Sequence, residues 1–199
     1  MARAANYDRD AALDAAMTVF WRKGFHATSL KDLEAALSMK PGSIYAAFES
    51  KENLYLLALQ RYFEASRRGF RTQLAGFDSP LAGLASQFQS YVDLADEDAT
   101  RQACMLMKTL VDTRSTDPKI AEVSKSYLEA ICAEFAQAFE AARDLGEISA
   151  DADPKRLARR YQANITALRV ELQRGTSDAD VANLAADMTQ ETLGLRVGA

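Results

Sequence analysis

A short set of polar and basic residues surrounds two apolar positions in the first quarter of the chain. Ile44 and Phe48 are four residues apart and would share one face of a helix, so their neighbours are free to face outward. The outward set consists of Lys40, Gly42, Ser43 and Tyr45. Ammonium and hydroxyl groups can donate hydrogen bonds to phosphate oxygens, and glycine allows a close approach of the backbone. This chemistry suits a helix that enters the major groove of DNA.

Two short helices joined by a tight turn would position this set. Thr28 or Ser29 can cap the first helix, whose apolar face is formed by Leu30, Leu33, Ala36 and Leu37. Pro41 fits only the opening turn of a helix, so the chain breaks and restarts there. The pattern predicts a helix-turn-helix over about residues 29–48. Lys51 then opens a third, longer helix, whose free backbone N–H groups attract anions.

Residues from about Arg9 to Leu59 resemble the amino-terminal DNA-binding domain of TetR-family transcriptional regulators. The matching features are Ala15-Ala16, Phe20, Gly24-Phe25, Thr28-Ser29, Asp32-Leu33, Ser43-Ile44-Tyr45, Phe48 and Ser50-Lys51-Glu52-Asn53-Leu54. A bare helix-turn-helix pattern would be a weak signal, whereas this many features at the family's spacing are specific. Leu37 departs from the family, which commonly has glycine at the head of the turn; we expect its φ to remain negative.

The resemblance implies a homodimeric repressor that binds a palindromic double-stranded operator and is released by a small-molecule effector. Carried over residue by residue, the DNA-binding set is Thr28, Ser29, Lys40, Pro41, Gly42, Ser43, Tyr45 and Lys51. Tyr45 and Lys51 match family positions that touch the phosphate backbone. Thr28 has an alternative role as an N-cap, which would stabilise the fold by about 1 kcal/mol without DNA. His26 either reaches a phosphate or is a solvated loop residue.

Composition and charge agree with this interpretation. The 199 residues are 48% hydrophobic, with nine glycines and four prolines, which favours an almost entirely helical chain with a sizeable core. The net charge is −4, but residues 1–72 hold 11 Lys or Arg and 8 Asp or Glu, about +3, whereas residues 73–199 hold 13 and 20, about −7. A mildly basic end would be attracted to phosphates while the acidic remainder is repelled.

Chain breakers and periodicity predict an all-α fold of about nine helices. We expect a DNA-binding domain over residues 1–60 and a ligand-binding and dimerisation domain over residues 61–199. No apolar run approaches the roughly 20 residues of a membrane span, and no apolar segment of signal-peptide type follows Met1. We therefore expect a cytoplasmic protein without a membrane association.

The last two predicted helices carry apolar residues at helical spacing. These are Leu157, Tyr161, Ile165, Leu168 and Leu172 in one helix, and Val181, Leu184 and Met188 in the next. Two copies of such a pair could form a four-helix interface, and the resemblance favours this dimer. The alternative is that both stripes belong to the core of a single chain.

An effector pocket is expected in the middle of the predicted ligand-binding domain. Phe63, Phe88, Tyr91, Met107, Tyr127 and Phe135 are apolar or aromatic and could line a pocket, although residues of this kind are more often plain core. Cys104 is a further candidate, because Arg101 and Lys108 would share its helical face and stabilise a thiolate. Its surroundings resemble a TetR subgroup of repressors that respond to electrophiles or small unsaturated acids. The alternative is a buried cysteine that serves as a small hydrophobic residue, and Cys132 is expected to be inert.

Other classes of protein find little support. One histidine, no nucleophile motif, no paired-cysteine spacing and no glycine-rich phosphate loop leave no basis for an enzyme, a metal site or a cofactor. A helical protein-interaction module would share the body but would not need the set from Ser43 to Lys51. An activator of transcription remains open, since DNA binding does not determine the sign of regulation.

Overall fold

The structure of the protein is a computed structural model that describes residues 8–93 and 103–198. Within these residues the chain forms nine α-helices, and its only β-type pairing is an isolated bridge between Ile148 and Arg196. The helices are α1 (Arg9–Lys23), α2 (Leu30–Leu37), α3 (Pro41–Phe48), α4 (Lys51–Leu74), α5 (Pro80–Val92), α6 (Met105–Thr113), α7 (Pro118–Asp144), α8 (Pro154–Arg174) and α9 (Asp178–Leu193). The predicted all-α fold class is confirmed.

Local chemistry explains where these helices begin and end. Asp8 caps α1 by accepting hydrogen bonds from the backbone N–H groups of the first turn, and Gly24 ends that helix with φ of +81°. Asp153 and Ser177 cap α8 and α9 through their side-chain oxygens. Gly175 ends α8 in the left-handed region at φ +77°. Sequence signals of this kind mark where a helix begins and ends.

The described chain divides into two compact units that differ from the predicted domains. One unit, here called the head unit, comprises residues 8–64 and 105–125, and the other, the body unit, comprises residues 65–93, 103–104 and 126–198. The predicted boundary at residue 60 lies near the first break. The predicted second domain, however, is interrupted, because α6 and the start of α7 belong to the head unit.

A buried tyrosine explains why α6 belongs to the head unit. Tyr55 of α4 is only 1% exposed, and its ring contacts Phe20 of α1 at a centroid distance of 4.7 Å. Its hydroxyl lies 2.7 Å from the hydroxyl of Thr109 in α6. Lys108 of α6 donates a hydrogen bond of 2.7 Å to the carbonyl oxygen of Trp21, in the last turn of α1. Since a buried phenol needs a hydrogen-bond partner, α6 completes the core of this unit.

Helices α5, α8 and α9 pack together in the body unit. Tyr161 lies at the centre of an aromatic cluster, with ring centroids 5.1 Å from Phe88 and 4.9 Å from Phe135. Its hydroxyl donates to the carbonyl oxygen of Leu84 at 2.7 Å. Burial raises the pKa of this phenol well above its ordinary value, which keeps it neutral and able to donate.

The residues predicted for a dimer interface lie mostly in this core. Tyr161, Ile165, Leu168, Leu172, Val181 and Met188 are all buried within the single chain, and Leu157 and Leu184 pack against them as partly buried side chains. The prediction was therefore wrong in its choice of face. An apolar stripe reports that one side of a helix is buried, and here α8 and α9 use that side to close the core with α5.

No helix among residues 8–93 and 103–198 has the length and apolar character that crossing a membrane requires.

Candidate nucleic-acid interface

Helix α3 presents the predicted polar set on its exposed side. Pro41 occupies the first position of the helix and Lys40 is its N-cap residue. Ile44 and Phe48 are each 1% exposed, so they fix the helix to the core of the head unit. Gly42, Ser43 and Tyr45 are exposed, the last to 45% despite its aromatic ring. The predicted division between core and outward residues of α3 is confirmed, while their contacts with DNA remain predictions.

Gly42 has no structural requirement for glycine within the chain. A methyl group at this position would meet no atom of the residues that the structure describes within 4 Å, apart from its own chain neighbours and helix backbone, and the residue does not have a positive φ. Glycine disfavours a helix by up to about 1 kcal/mol relative to alanine, so its presence here costs stability. Close approach of another molecule to the backbone of α3 would account for it.

Helix α2 is held by a capping box. The hydroxyl of Ser29 accepts a hydrogen bond of 3.2 Å from the backbone N–H of Asp32, and the Asp32 carboxylate accepts one of 2.9 Å from the N–H of Ser29. Lys23 approaches the same carboxylate at 2.6 Å. The bond from Lys23 is the main reason that the pKa of Asp32 lies well below its ordinary range. Ser29, and not Thr28, is therefore the cap.

Thr28 does not face outward. The residue is 1% exposed, and its hydroxyl donates a hydrogen bond of 2.6 Å to the carbonyl oxygen of Gly24. This bond closes the loop between α1 and α2 before the capping box begins. An N-cap side chain at Thr28 was an open alternative from the sequence, and the structure assigns the residue to loop closure instead.

The turn between α2 and α3 contains a residue in the left-handed conformation. This residue is Ser38, one position after Leu37, where the chain departs from the family pattern. Ser38 has φ of +52° and ψ of +36° and ends α2, whereas Leu37 remains helical and buried. The expectation that Leu37 keeps a negative φ is confirmed. A left-handed conformation at a residue other than glycine costs on the order of 1 kcal/mol.

A tight turn at Glu49 joins α3 to α4 and places Lys51. Glu49 has φ of +66° and ψ of −54°, and the N–H of Ser50 donates to the carbonyl oxygen of Phe48 at 2.7 Å, which defines a γ-turn. The Ser50 hydroxyl then accepts from the N–H of Asn53 at 3.0 Å and caps α4. The Asn53 amide donates to the same Phe48 carbonyl at 3.2 Å. These bonds fix the direction in which α4 leaves α3.

Lys51 is therefore the first residue of α4, three residues after the end of α3. Its ammonium nitrogen lies 4.6 Å from the ring centroid of Phe25, over the ring face. Burial lowers the pKa of this lysine, and the carboxylate of Asp117 acts in the opposite direction. A partly buried cation at a helix N-terminus is a suitable partner for a phosphate oxygen.

His26 has partners inside the head unit. Its Nε2 lies 2.8 Å from the hydroxyl of Thr116 and 3.2 Å from a carboxylate oxygen of Asp117. Both partners belong to the turn between α6 and α7. Sequence reasoning left His26 as a phosphate ligand or a loop residue and did not foresee these contacts, because no local pattern links residues that are 90 positions apart.

The residues predicted to line an effector pocket are divided between the two units. Phe63 and Met107 belong to the head unit. Phe88 and Phe135 are buried in the body unit, where Tyr91, Cys104 and Tyr127 are partly buried. The set therefore does not belong to one compact unit, and any effector site built within the body unit would exclude the first two.

Cys104 does not lie on a helix, in contrast to the prediction. Helix α6 begins at Met105, and the N–H of Ala103 donates to the side-chain carbonyl oxygen of Gln173 in α8 at 2.9 Å. Lys108 directs its ammonium group to the Trp21 carbonyl, and Arg101 lies outside the described residues.

Tyr91 is a partly buried tyrosine of the body unit. Burial is the main cause that raises its pKa, and the charge of Arg169 acts in the opposite direction. The guanidinium of Arg169 lies 5.5 Å from the centroid of the Tyr91 ring. Burial raises the pKa of the Cys132 thiol, which disfavours its reactive thiolate.

The capped α2 and the following α3 form a helix-turn-helix. Helix α3 exposes Gly42 and the hydroxyl groups of Ser43 and Tyr45, and Lys51 starts the next helix. This arrangement defines a DNA-binding module of the helix-turn-helix class. Residues 12–58 match the family of bacterial regulatory proteins named after TetR, and residues 80–187 match the tetracyclin repressor-like C-terminal domain. The chain belongs to the TetR family of transcriptional regulators.

Relatives and solved structures agree with this assignment. The transcriptional repressor ComR of Escherichia coli K12 is 31% identical over 173 residues, covering 86% of this chain and 82% of that protein. A TetR-family regulator from Cytophaga hutchinsonii superimposes with a TM-score of 0.86 at 19% identity, over 96% of both chains. The regulator CifR, as a cysteine mutant in complex with a 26-base-pair operator, superimposes with a TM-score of 0.83 at 26% identity over 94% of this chain and 98% of that chain.

Proposed function

We propose that this protein is a homodimeric repressor that binds a palindromic operator through α3 and the start of α4 and is released by a small-molecule effector. The observation that carries the DNA-binding part is the exposed set on α3, which the γ-turn at Glu49 connects to the start of α4 at Lys51. The repressor ComR and the operator complex of CifR support the same function. Because such a repressor binds bacterial chromosomal DNA, we expect it to act in the cytoplasm.

The DNA contacts divide by chemistry. Lys51 and Tyr45 bind phosphate oxygens, the first as a charge and the second through its exposed hydroxyl. Lys40 and Ser43 contact phosphate or base edges, and Gly42 allows the backbone of α3 to enter the groove. Pro41 starts the helix and Ser29 caps the preceding one, so these two position the interface without reading sequence. Thr28 does not contact DNA directly in this proposal, because its hydroxyl is buried and donates to the carbonyl oxygen of Gly24.

Binding of the purified protein to the DNA around its own gene tests this proposal. Fluorescence anisotropy at two salt concentrations would give the affinity and the dependence of log K on log salt. Lys51→Ala should weaken binding and reduce the slope by about one for each bound head, since one phosphate contact is lost. Tyr45→Phe should weaken binding with little change of slope.

Lys125→Ala is the matched control. Lys125 is an exposed lysine of the same unit that approaches Glu122 at 3.8 Å and lies on α7, outside the proposed interface. If Lys51→Ala and Lys125→Ala weaken binding equally, the contribution of Lys51 is general charge and the assigned interface is wrong. No duplex-specific binding by the wild-type protein would favour a helical interaction module.

Dimerisation is proposed for the faces of α8 and α9 that point away from the core. On α8 this face carries Ala163, Ala167 and Val170, which are exposed, the last to 45%, and on α9 it carries Ala179, Asn183 and Ala186. Small side chains let two helices approach closely, and a palindromic operator requires a two-fold symmetric protein. Ala167→Glu should therefore yield monomers by sedimentation with little loss of thermal stability, whereas Ile165→Ala should lower the stability of the fold. Dimers that persist in Ala167→Glu would exclude this surface.

The effector is proposed to bind in the body unit, which contains Phe88, Tyr91, Phe135 and Cys104. Binding there shifts the population toward a conformation in which the two heads no longer match their half-sites, which weakens the operator complex. Cys104 as a sensing thiol is tested by adding an electrophile to the operator complex. Release that is lost in Cys104→Ser and kept in Cys132→Ser would support the thiol, and release that persists in both would exclude it.

A further inference from the structure

A charged side chain is buried beside the apolar core of the body unit. Arg169 of α8 is only 8% exposed, and its guanidinium keeps its charge at any physiological pH. Its neighbours on the helix, Leu168 and Leu172, belong to the buried core of the same unit. Burial of a cation among apolar side chains costs stability, because water no longer solvates the charge. Packing of α8 alone would be served as well by an apolar residue.

The guanidinium of Arg169 lies over the ring of a tyrosine in α5. Its carbon Cζ is 5.5 Å from the centroid of the Tyr91 ring, within the range of a cation–π contact. Tyr91 packs against the hydrophobic core as a partly buried side chain. Such a contact orients the guanidinium but does not neutralise its charge. A guanidinium also has five N–H donors in one plane, and stacking on a ring uses none of them.

Tyr91 adds a neutral hydroxyl group close to this charge. Burial is the main cause that raises the pKa of Tyr91, whereas the charge of Arg169 acts in the opposite direction. The phenol therefore keeps its proton at neutral pH and can donate a hydrogen bond. One planar cation and one neutral donor match the charge and the two oxygens of a carboxylate. A phosphate dianion would meet only one positive charge in this pair.

Aromatic rings continue from this polar pair on both helices. Phe88 and Tyr91 are three residues apart on α5, and Tyr161 and Arg169 are eight apart on α8, so each pair shares one face of its helix. The rings of Phe88 and Phe135 lie 5.1 Å and 4.9 Å from that of Tyr161. The body unit therefore places a polar anchor next to an aromatic cluster, which suits a ligand with a carboxylate on an apolar body.

The segment that precedes α6 lies one turn further along α8. Gln173 is four residues after Arg169, and its side-chain oxygen accepts a hydrogen bond of 2.9 Å from the N–H of Ala103. Cys104 follows, and α6 begins at Met105. A ligand bound at Arg169 would therefore lie about one helical turn from the residues that lead into α6.

We propose that Arg169 and Tyr91 anchor the effector, and that the effector is a monocarboxylate with an aromatic or other apolar body. This inference rests on the proposed function, which assigns the effector to the body unit. The guanidinium and the phenol bind the carboxylate, while Phe88 and Phe135 contact the apolar part. The site selects an anion because the low local dielectric strengthens its attraction to the buried cation.

The test uses benzoate, cinnamate and octanoate, each compared with its uncharged amide at constant ionic strength, and phenyl phosphate as the dianion. Titration calorimetry on the full chain measures binding, and anisotropy of labelled operator measures release. The variants are Arg169→Met, Arg169→Lys and Tyr91→Phe. Arg143→Met is the control, because Arg143 lies in the same unit on α7, with 28% of its side chain exposed, and pairs with Asp144 at 3.1 Å. Circular dichroism verifies that each variant is folded.

At least one carboxylate should bind the wild type about tenfold or more tightly than its amide, and should lower operator affinity. Arg169→Met should weaken binding of that carboxylate by about ten- to a hundredfold, since a charge-assisted hydrogen bond is lost. Arg169→Lys should retain part of the affinity, because the charge remains without the planar fork. Tyr91→Phe should weaken binding by about three- to tenfold. Arg143→Met should bind like the wild type.

The outcomes separate this inference from the function on which it rests. Carboxylate binding through Arg169 by a protein that binds no operator would leave the anchor in place and contradict the repressor. If every carboxylate binds no more tightly than its amide, the anchor is wrong, whatever the protein does with DNA. Binding through Arg169 that leaves operator affinity unchanged would exclude the effector role.

Three further results would overturn the anchor. These are unchanged carboxylate binding in Arg169→Met, equal losses in Arg169→Met and Arg143→Met, and tighter binding of phenyl phosphate than of benzoate. Should Arg169→Met fail to fold, the two milder variants decide the question. Wild-type affinity in both Arg169→Lys and Tyr91→Phe would then exclude the proposed contacts.

Discussion

The hydroxyl of Tyr55 in α4 lies 2.7 Å from that of Thr109 in α6, although the two residues are 54 positions apart. Thr109 donates its own proton to the carbonyl oxygen of Met105 at 2.7 Å, so the tyrosine is the donor in the pair. Burial raises the pKa of Tyr55 to about 12, which keeps its proton in place at neutral pH. The bond ties α6 to the long helix that starts at Lys51.

Removing this bond should destabilise the head unit. Tyr55→Phe keeps the ring contacts with Phe20 and should cost about 1 kcal/mol of the free energy of unfolding, the usual net value of a buried hydrogen bond. Thr109→Val should cost more, because it also removes the bond to Met105. Denaturant titrations of both variants and the double variant give the coupling energy. Strictly additive losses would contradict a direct bond between the two hydroxyl groups.

The loop before α2 should depend on the buried Thr28 and not on DNA. Thr28→Val keeps the size of the side chain and removes the bond to the Gly24 carbonyl, so the free energy of unfolding should fall by about 1–2 kcal/mol. The salt slope of operator binding should not change, because the hydroxyl makes no phosphate contact. A slope lower by about one for each head would return Thr28 to the interface.

Gly42 should show opposite effects on stability and DNA binding. Gly42→Ala places a methyl group in open space and should stabilise α3 by about 0.5–1 kcal/mol. The same methyl group should weaken operator binding, since it would stand between the backbone and the groove. Thermal unfolding and anisotropy on the same sample measure both quantities. Gly69→Ala is the matched control, since a methyl group at that α4 position also meets nothing within 4 Å.

Ser38 stores backbone strain that glycine would relieve. Its φ of +52° is readily adopted by glycine, so Ser38→Gly should raise the free energy of unfolding by up to about 1 kcal/mol. For a chain of this length, such a gain corresponds to a rise of about 2–4 °C in melting temperature. Ser29→Ala, which removes the capping box, should change the melting temperature in the opposite direction. A lower melting temperature for Ser38→Gly would contradict the assigned strain.

Glu134 should contribute to the acid sensitivity of the body unit. Its carboxylate, with 10% of the side chain exposed, is bound by Arg71 and Arg67. The bond from Arg71 is the largest cause that lowers its pKa from the ordinary value of 4.5. The unfolded chain therefore binds this proton more readily than the folded protein. The stabilisation is complete above about pH 4.5 and is lost as the pH falls through the lower folded value.

Glu134→Gln tests that contribution in thermal unfolding from about pH 7 to about pH 3. The variant should be less stable at neutral pH, and its stability should fall less steeply below about pH 4.5. Glu140→Gln is the control. Glu140 lies on the same helix, but its side chain is 57% exposed, and its ion pair with Arg143 at 3.4 Å is therefore solvated. Parallel acid profiles for the wild type and Glu134→Gln would exclude Glu134 as a source of the dependence.

Much of the DNA-binding half could be predicted because its signals are local. Pro41, Gly24 and the serine caps act on the next few residues of the backbone, so they place helix ends without knowledge of the rest of the fold. The spacing of Ile44 and Phe48 likewise separates the inner and outer faces of α3. The sequence could not decide whether Thr28 or Ser29 is the cap, because both hydroxyl groups are suitable. The structure distinguishes them, since Ser29 forms the capping box and Thr28 is buried.

The sequence by itself determined the all-α class, the helix-turn-helix and the family. Tertiary structure decided that α6 and the start of α7 belong to the head unit. Thr109, Lys108 and Asp117 contact residues far away in the chain, and such contacts produce no periodic pattern in the sequence. It also decided that the apolar stripes of α8 and α9 close the core of one chain. Periodicity reports that a helical face is buried, whereas only the folded chain shows what buries it.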